Sequence, residues 1–307
     1  MMEYRLRPLL LFLISLTFSL GAVGAENVTS TVPKPSSARP ADARPSSTPF
    51  PRDPKAALEL WCRHLSKELR SVNYDRCFSR GWKIEASSPG GRPIPSVSWN
   101  GAEAKEEGHR VLILGAIHGD EISAVSMVFR WLDFLDRTKQ DSFLRQKRFL
   151  FFPLVNPDGF FIRPRTRTNM GGVDVNRNFA TKKWDDLALL YWKTKTGNDP
   201  RRYPGEKAAS EIETQVVQKA IDGFKPDLII SVHAPYKLVD HDGPIQFPNM
   251  LSPLPVRTLG AFPGSLGTYA GIERNIPVVT PELPSATTLP DIKAVEQLFL
   301  FIMRSQY

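Results

Sequence analysis

Four short apolar runs recur along the chain, and each stops within a few residues of a side chain able to do chemistry. Residues 110–116 lead to His118, residues 148–155 to Asn156, residues 227–232 to His233, and residues 276–280 to Glu282. Runs of this length without polar alternation are expected to be strands covered on both faces. Between and around them, residues 56–69, 122–135, 206–224 and 289–303 carry apolar side chains at helical spacing. Strands that alternate with helices predict a single α/β domain, a mixed and mostly parallel β-sheet flanked by helices. In such folds ligands bind just beyond the carboxyl ends of the strands. His118, Asn156, His233 and Glu282 are therefore expected to share one site.

The N-terminus has a different character. Arg5 and Arg7 precede an apolar run over residues 9–20, and small residues follow up to Ala25. A basic segment, a short apolar core and small residues at a cleavage point describe a secretory signal peptide over residues 1–25. The run is shorter than the roughly 20 residues that a membrane span needs, so no stable membrane insertion is expected after cleavage. Residues 26–53 are rich in Pro, Ser and Ala and read as a disordered linker, because they hold too little apolar surface to offset the entropy of ordering. The catalytic domain is expected over residues 54–307. The product is expected to be exported, periplasmic or secreted.

The 307-residue chain carries a formal charge of +8, with a pI near 9.5. Such a charge favours anionic partners. Export and the lack of any nucleic-acid-binding motif argue against nucleic acid. The only cysteines are Cys62 and Cys77. An oxidising compartment would let them pair, with buried free thiols as the alternative. Two isolated cysteines are a poor zinc site.

His118-Gly119-Asp120-Glu121 sets an imidazole and a carboxylate three positions apart, where a turn into a helix can face both one way. With His233 they supply two histidines and a carboxylate, the donor set of a catalytic zinc site with one position open. Residues 167–179 contain Asn176-Arg177, and a guanidinium fork can hold a substrate carboxylate in two parallel hydrogen bonds. Glu282 follows an apolar run. Partial desolvation there would raise its pKa, which suits a general base.

Taken in order, His118-x-x-Glu121, Asn156-Pro-Asp-Gly, Val-Asp-x-Asn176-Arg177-Asn-Phe, Ser-x-His233 and Thr-x-Glu282-Leu resemble the zinc metallocarboxypeptidase family, from about residue 110 to the C-terminus. The resemblance implies one Zn2+ per chain, held by His118, Glu121 and His233. It further implies Arg167 as the electrophile at the scissile carbonyl, Asn176 and Arg177 as the carboxylate clamp, and Glu282 as the base. Tyr269 and Tyr236 are both candidates for the tyrosine that closes over substrate, and Tyr269 is carried into the expected substrate-binding set.

The short loop between Arg167 and Asn176, and the segments 239–244 and 267–272, resemble the bacterial murein-peptide amidase branch. Members of that branch cleave the γ-D-glutamyl–meso-diaminopimelate bond of peptidoglycan stem peptides. The exported start, the proline-rich arm and Pro281 before the glutamate depart from that pattern. The resemblance thus implies amide hydrolysis of a peptidoglycan peptide. A general zinc carboxypeptidase or deacylase acting on other peptides is the enzymatic alternative. An inactive wall-binding module is the alternative of another class.

Overall fold

A computed structural model of the chain describes residues 50–139, 142–251 and 253–305. The expected leader, and the linker up to residue 49, lie outside the described residues. Phe50, assigned to the linker by composition, packs its ring 5.7 Å from His64 and 6.1 Å from Phe161.

The domain opens on α1 (Pro54–Glu68), capped by Asp53, whose carboxylate accepts from the Ala56 N–H. The short α2 (Tyr74–Ser79) follows, and a disulfide joins Cys62 to Cys77 across the two helices. Residues 80–100, rich in Gly and Pro, form a hairpin of β1 (Lys83–Ser87) and β2 (Pro93–Asn100). The parallel centre comprises β3 (Arg110–Gly115), β4 (Arg148–Phe152), β5 (Leu228–Val232) and β9 (Val278–Glu282). The sheet order is β1-β2-β4-β3-β5-β9-β6, with β6 (Leu238–Asp242) as the far edge. Strands β4, β3, β5 and β9 run parallel, while β1, β2 and β6 pair antiparallel at the two sides. A small separate hairpin joins β7 (Met250–Leu251) to β8 (Leu254–Pro255).

Alternate strand residues enter opposite cores. Val111, Ile113, Leu228, Ile230 and Val279 pack with Trp61, Trp131 and Phe299, from α1, α3 (Ile122–Asp136) and α7 (Ile292–Arg304). Leu112, Leu114, Ile229 and Val278 pack with Val217 and Ile221 of α6 (Ile212–Phe224). That two-sided burial is why the strands read as continuous apolar runs. No helix among the described residues is long and apolar enough to cross a membrane.

Two expectations shift, and one helix is new. The helix expected over 206–224 begins only at Ile212, because Asn178 Nδ2 draws the carbonyls of Pro204 and Lys207 into a hydrogen-bonded loop. The strand expected over 276–280 is displaced by two residues, so Glu282 is its last residue rather than a loop residue beyond it. Helix α5 (Trp184–Lys195) has no expectation behind it. Its buried side chains are Trp184, Ala188 and Trp192, a stripe too narrow to stand out in the sequence.

Candidate metal centre

Strand β3 ends on Gly115, and Ala116 takes a left-handed φ of 45°, uncommon for a residue with a Cβ. The chain then turns through His118-Gly119-Asp120-Glu121. Gly119 lies against the backbone of Gly159 so closely that a Cβ there would collide with it. That contact packs the His118 turn onto the turn formed by Asn156 and α4 (Pro157–Phe161). Asn156 Oδ1 accepts from the Gly159 N–H, and its Nδ2 donates to the Arg167 carbonyl, which fixes where Arg167 leaves the backbone.

Glu121 occupies the N-cap of α3 but makes no side-chain capping bond. Its oxygens turn instead to two imidazoles. Oε1 lies 2.7 Å from His118 Nδ1, Oε2 lies 3.0 Å from His233 Nδ1, and the two Nδ1 atoms are 3.1 Å apart. His233 follows β5, with its Nε2 3.0 Å from Ser231 Oγ. All three residues are buried, and their donor atoms converge within 4.8 Å of one another, placed to hold a metal ion.

The local field favours a cation. Burial alone would raise the Glu121 carboxyl, but the imidazoles of His118 and His233 outweigh it and hold the group below its ordinary value. Burial and Arg167 act to lower His118, yet Glu121 and Asp174 prevail and raise it. Two imidazole nitrogens and two carboxylate oxygens facing one another suit a divalent ion of zinc's ligand preference.

Asp174, to which the sequence reading gave no role, lies beneath this triad. Its Oδ1 stands 3.3 Å from His118 Nε2, short of hydrogen-bond geometry, and accepts from the Asn176 N–H. Its Oδ2 accepts from Arg167 Nε at 2.9 Å. Burial would raise this carboxyl, but Arg167 and His118 hold it well below the carboxylate range. Asp174 stands two residues before Asn176 in the quoted motif, and that spacing was the available signal. Ser231, also unassigned, is the serine of Ser-x-His233.

Arg167, Asn176, Arg177 and Glu282 all line the pocket over the triad. Arg167 Nη1 lies 3.8 Å from Glu121 Oε1. Asn176 Oδ1 accepts from the Leu266 N–H. The Arg177 guanidinium sits 4.6 Å over the Phe262 ring and donates from Nη1 to the Asn176 carbonyl, and its Nε has no partner. Burial lowers the Arg177 pKa. Glu282 is 6 % exposed and its Oε2 has no partner. Burial raises its pKa, as expected from the sequence.

Tyr269 is a correction. It lies in the π-helical segment Gly267–Ile272, 1 % exposed, in the core beneath the sheet. Its ring meets Phe179 and is covered by the Arg274 guanidinium 3.4 Å from the ring centroid. A side chain so buried, and absent from the pocket lining, cannot reach substrate. Tyr236, the other candidate, lines the pocket and is exposed.

Comparisons with known proteins agree with this arrangement. The sequence profile of the zinc carboxypeptidase family matches residues 82–239. The chain is 30% identical over 212 residues to murein peptide amidase A of Vibrio campbellii, covering 66% of this chain and 79% of that protein. It is 32% identical over 190 residues to murein peptide amidase A of Escherichia coli K12, covering 60% and 73% of the two chains. The fold is shared with the crystal structure of murein-tripeptide amidase from Escherichia coli O157, at TM-score 0.50, 24% identity, and 74% and 92% coverage. It is also shared with carboxypeptidase A from Helicoverpa armigera, at TM-score 0.57, 18% identity, and 80% and 70% coverage.

Proposed function

The chain belongs to the zinc carboxypeptidase family, a zinc metallopeptidase by that membership, and from this premise we propose that it hydrolyses an amide bond in peptidoglycan stem peptides. The bond is the one between γ-D-glutamate and meso-diaminopimelate. One observation carries the reading beyond the family. A buried arginine, Arg177, keeps an unbonded Nε in the same pocket as the His118–Glu121–His233 triad and Glu282, whose Oε2 has no partner. A carboxylate clamp beside a metal centre and a base suits a substrate whose leaving part bears a free carboxylate, as diaminopimelate does.

His118, Glu121 and His233 hold the zinc. When bound, zinc supplies a Lewis acid that makes water a better nucleophile and polarises a carbonyl. Glu282 takes a proton from the attacking water and, now a carboxylic acid, delivers that proton to the leaving amine. Arg167, braced at Nε by Asp174, turns its remaining N–H groups toward the carbonyl oxygen as negative charge grows there. Arg177 and Asn176 hold the leaving residue's carboxylate, which fixes the scissile bond against Glu282. Tyr236, at the pocket wall, is the tyrosine placed to close over substrate.

Export is part of the proposal. The basic and apolar N-terminal sequence supports it, and so does the Cys62–Cys77 disulfide, which suits an oxidising compartment. The test is incubation with defined muropeptides followed by mass spectrometry. Release of a fragment beginning at diaminopimelate is the expected result. Faster turnover of ordinary peptides ending in L-amino acids would reassign the enzyme as a general carboxypeptidase.

A further inference from the structure

We infer that Phe262 is a positioning residue for the proposed hydrolysis: its ring covers one face of the Arg177 guanidinium and fixes which edge of that guanidinium is offered to a substrate carboxylate. The inference rests on the reading of Arg177 as the clamp and deepens it by naming what holds the clamp in place.

The need for such a residue follows from what Arg177 lacks. The guanidinium is buried, yet among the described residues no carboxylate pairs with it, and its one side-chain hydrogen bond runs from Nη1 to the Asn176 carbonyl. A single bond lets the planar group swing about it, and a swung fork no longer meets two oxygens at once. Arg167 shows the contrast, since Asp174 accepts from its Nε. At Arg177 an aromatic face stands where such a carboxylate would. The Phe262 ring centre lies 4.6 Å from Arg177 Cζ, within the range of a cation–π contact, and both residues line the pocket over the metal triad. A ring holds the plane of a guanidinium without consuming any of its N–H groups. With the ring on one face and Asn176 on Nη1, the edge through Nε, which has no partner, is left for a ligand.

The ring is itself fixed. It meets the Tyr191 ring of α5 at 5.7 Å between centroids. The Phe262 N–H donates to Ser265 Oγ at 3.2 Å, and the Phe262 carbonyl accepts from the Ser265 N–H and from Thr268 Oγ1. The same turn also grips the arginine's backbone. Gly264, at φ 75°, approaches the Arg177 carbonyl so closely that a Cβ there would collide with it, and the Gly264 carbonyl accepts from the Phe179 N–H. Trp184 Nε1 donates to the Arg177 carbonyl at 2.9 Å. Residues 262–265 thus hold residue 177 at backbone and side chain together, so the fork is oriented before substrate arrives.

The experiment measures kcat/KM on a wall tripeptide whose diaminopimelate carboxyl beside the cut is either free or amidated, for zinc-loaded wild type, Phe262→Leu and Phe262→Tyr. Leucine keeps apolar bulk without a π-face, whereas tyrosine keeps the π-face. Phe262→Leu is expected to shrink the free-to-amidated ratio about 10–30-fold, through KM more than kcat, the range of a desolvated cation–π contact. Phe262→Tyr is expected to retain most of the ratio. General damage to the fold would lower both peptides alike and leave the ratio standing. Phe262→Met, which also lacks a π-face, carries the same test if Phe262→Leu unfolds the domain. Retention of the wild-type ratio without the π-face, or its loss in Phe262→Tyr as well, overturns the inference. If wild type cleaves neither wall peptide, the amidase reading falls by itself, and peptides ending in a free or an amidated L-amino acid take over the comparison. If wild type cleaves none of the four peptides, or treats free and amidated forms alike in both sets, the clamp reading is lost and the role of Phe262 with it.

Discussion

Arg167 donates from Nε to Asp174 Oδ2 at 2.9 Å, and this pair ties the pocket's central cation to the floor of the metal centre. The other oxygen of Asp174 faces His118 Nε2. One buried carboxylate therefore braces the guanidinium above it and sets its negative charge beside a metal-ligand imidazole.

Asp174→Asn tests that coupling. Removing one partner of a buried pair costs about 3 kcal/mol, and loss of support behind a histidine ligand weakens metal binding about 10–100-fold. Wild-type protein should carry one zinc per chain by elemental analysis. The variant should need correspondingly more zinc in a chelator competition, and equal affinities would remove Asp174 from the metal's support.

Glu282→Gln should keep zinc and the fold while turnover falls about 10²–10⁴-fold, because the amide matches the carboxylate in size but cannot accept the proton. Near wild-type kcat in the zinc-loaded variant would move the base role to another group.

Arg177→Lys retains the charge but loses the fork, so KM for wall peptides should rise while zinc content stays constant. Arg177→Ala should cost about 2–5 kcal/mol in kcat/KM if the charge pair forms out of water. Amidating the diaminopimelate carboxyl beside the cut should hurt the wild type and change little in the variant. Equal wild-type rates on the free and amidated peptides would remove this carboxylate from Arg177.

Glu213 gives a stability signature at a distance from the chemistry. It is fully buried, its Oε2 accepts from Asn169, its Oε1 has no partner, and burial pushes it up to about 7. A carboxyl raised in the folded state binds its proton more tightly there than in the unfolded chain, whose value is near 4.5. Its contribution is therefore complete below about pH 4.5 and is lost as pH climbs through about 7, a fall of about 3 kcal/mol. Glu213→Gln should flatten the denaturant-measured stability over that interval and raise it at pH 8. An unchanged slope would show that Glu213 is ionised throughout.

The sequence alone determined the four parallel strands, the helices α1, α3, α6 and α7 and the metal ligands, and the reason is local. Strands buried on both faces must read as apolar runs, and His118, Glu121 and His233 sit within six residues of the ends of β3 and β5, so placing the strands places the ligands. What the tertiary structure decided is what each side chain meets. Apolar periodicity marks a buried face but does not name its neighbour. Tyr269 therefore reads as a pocket residue until its ring is seen buried against Phe179 and Arg274, leaving Tyr236 at the pocket. The pairing of Cys62 with Cys77 depends on α1 lying beside α2. Asp174 and Asp242 look alike in sequence, each an aspartate in a β-branched or polar stretch. Arg167 lies within reach of Asp174, whereas the glycines at 267 and 271 bring only backbone to Asp242.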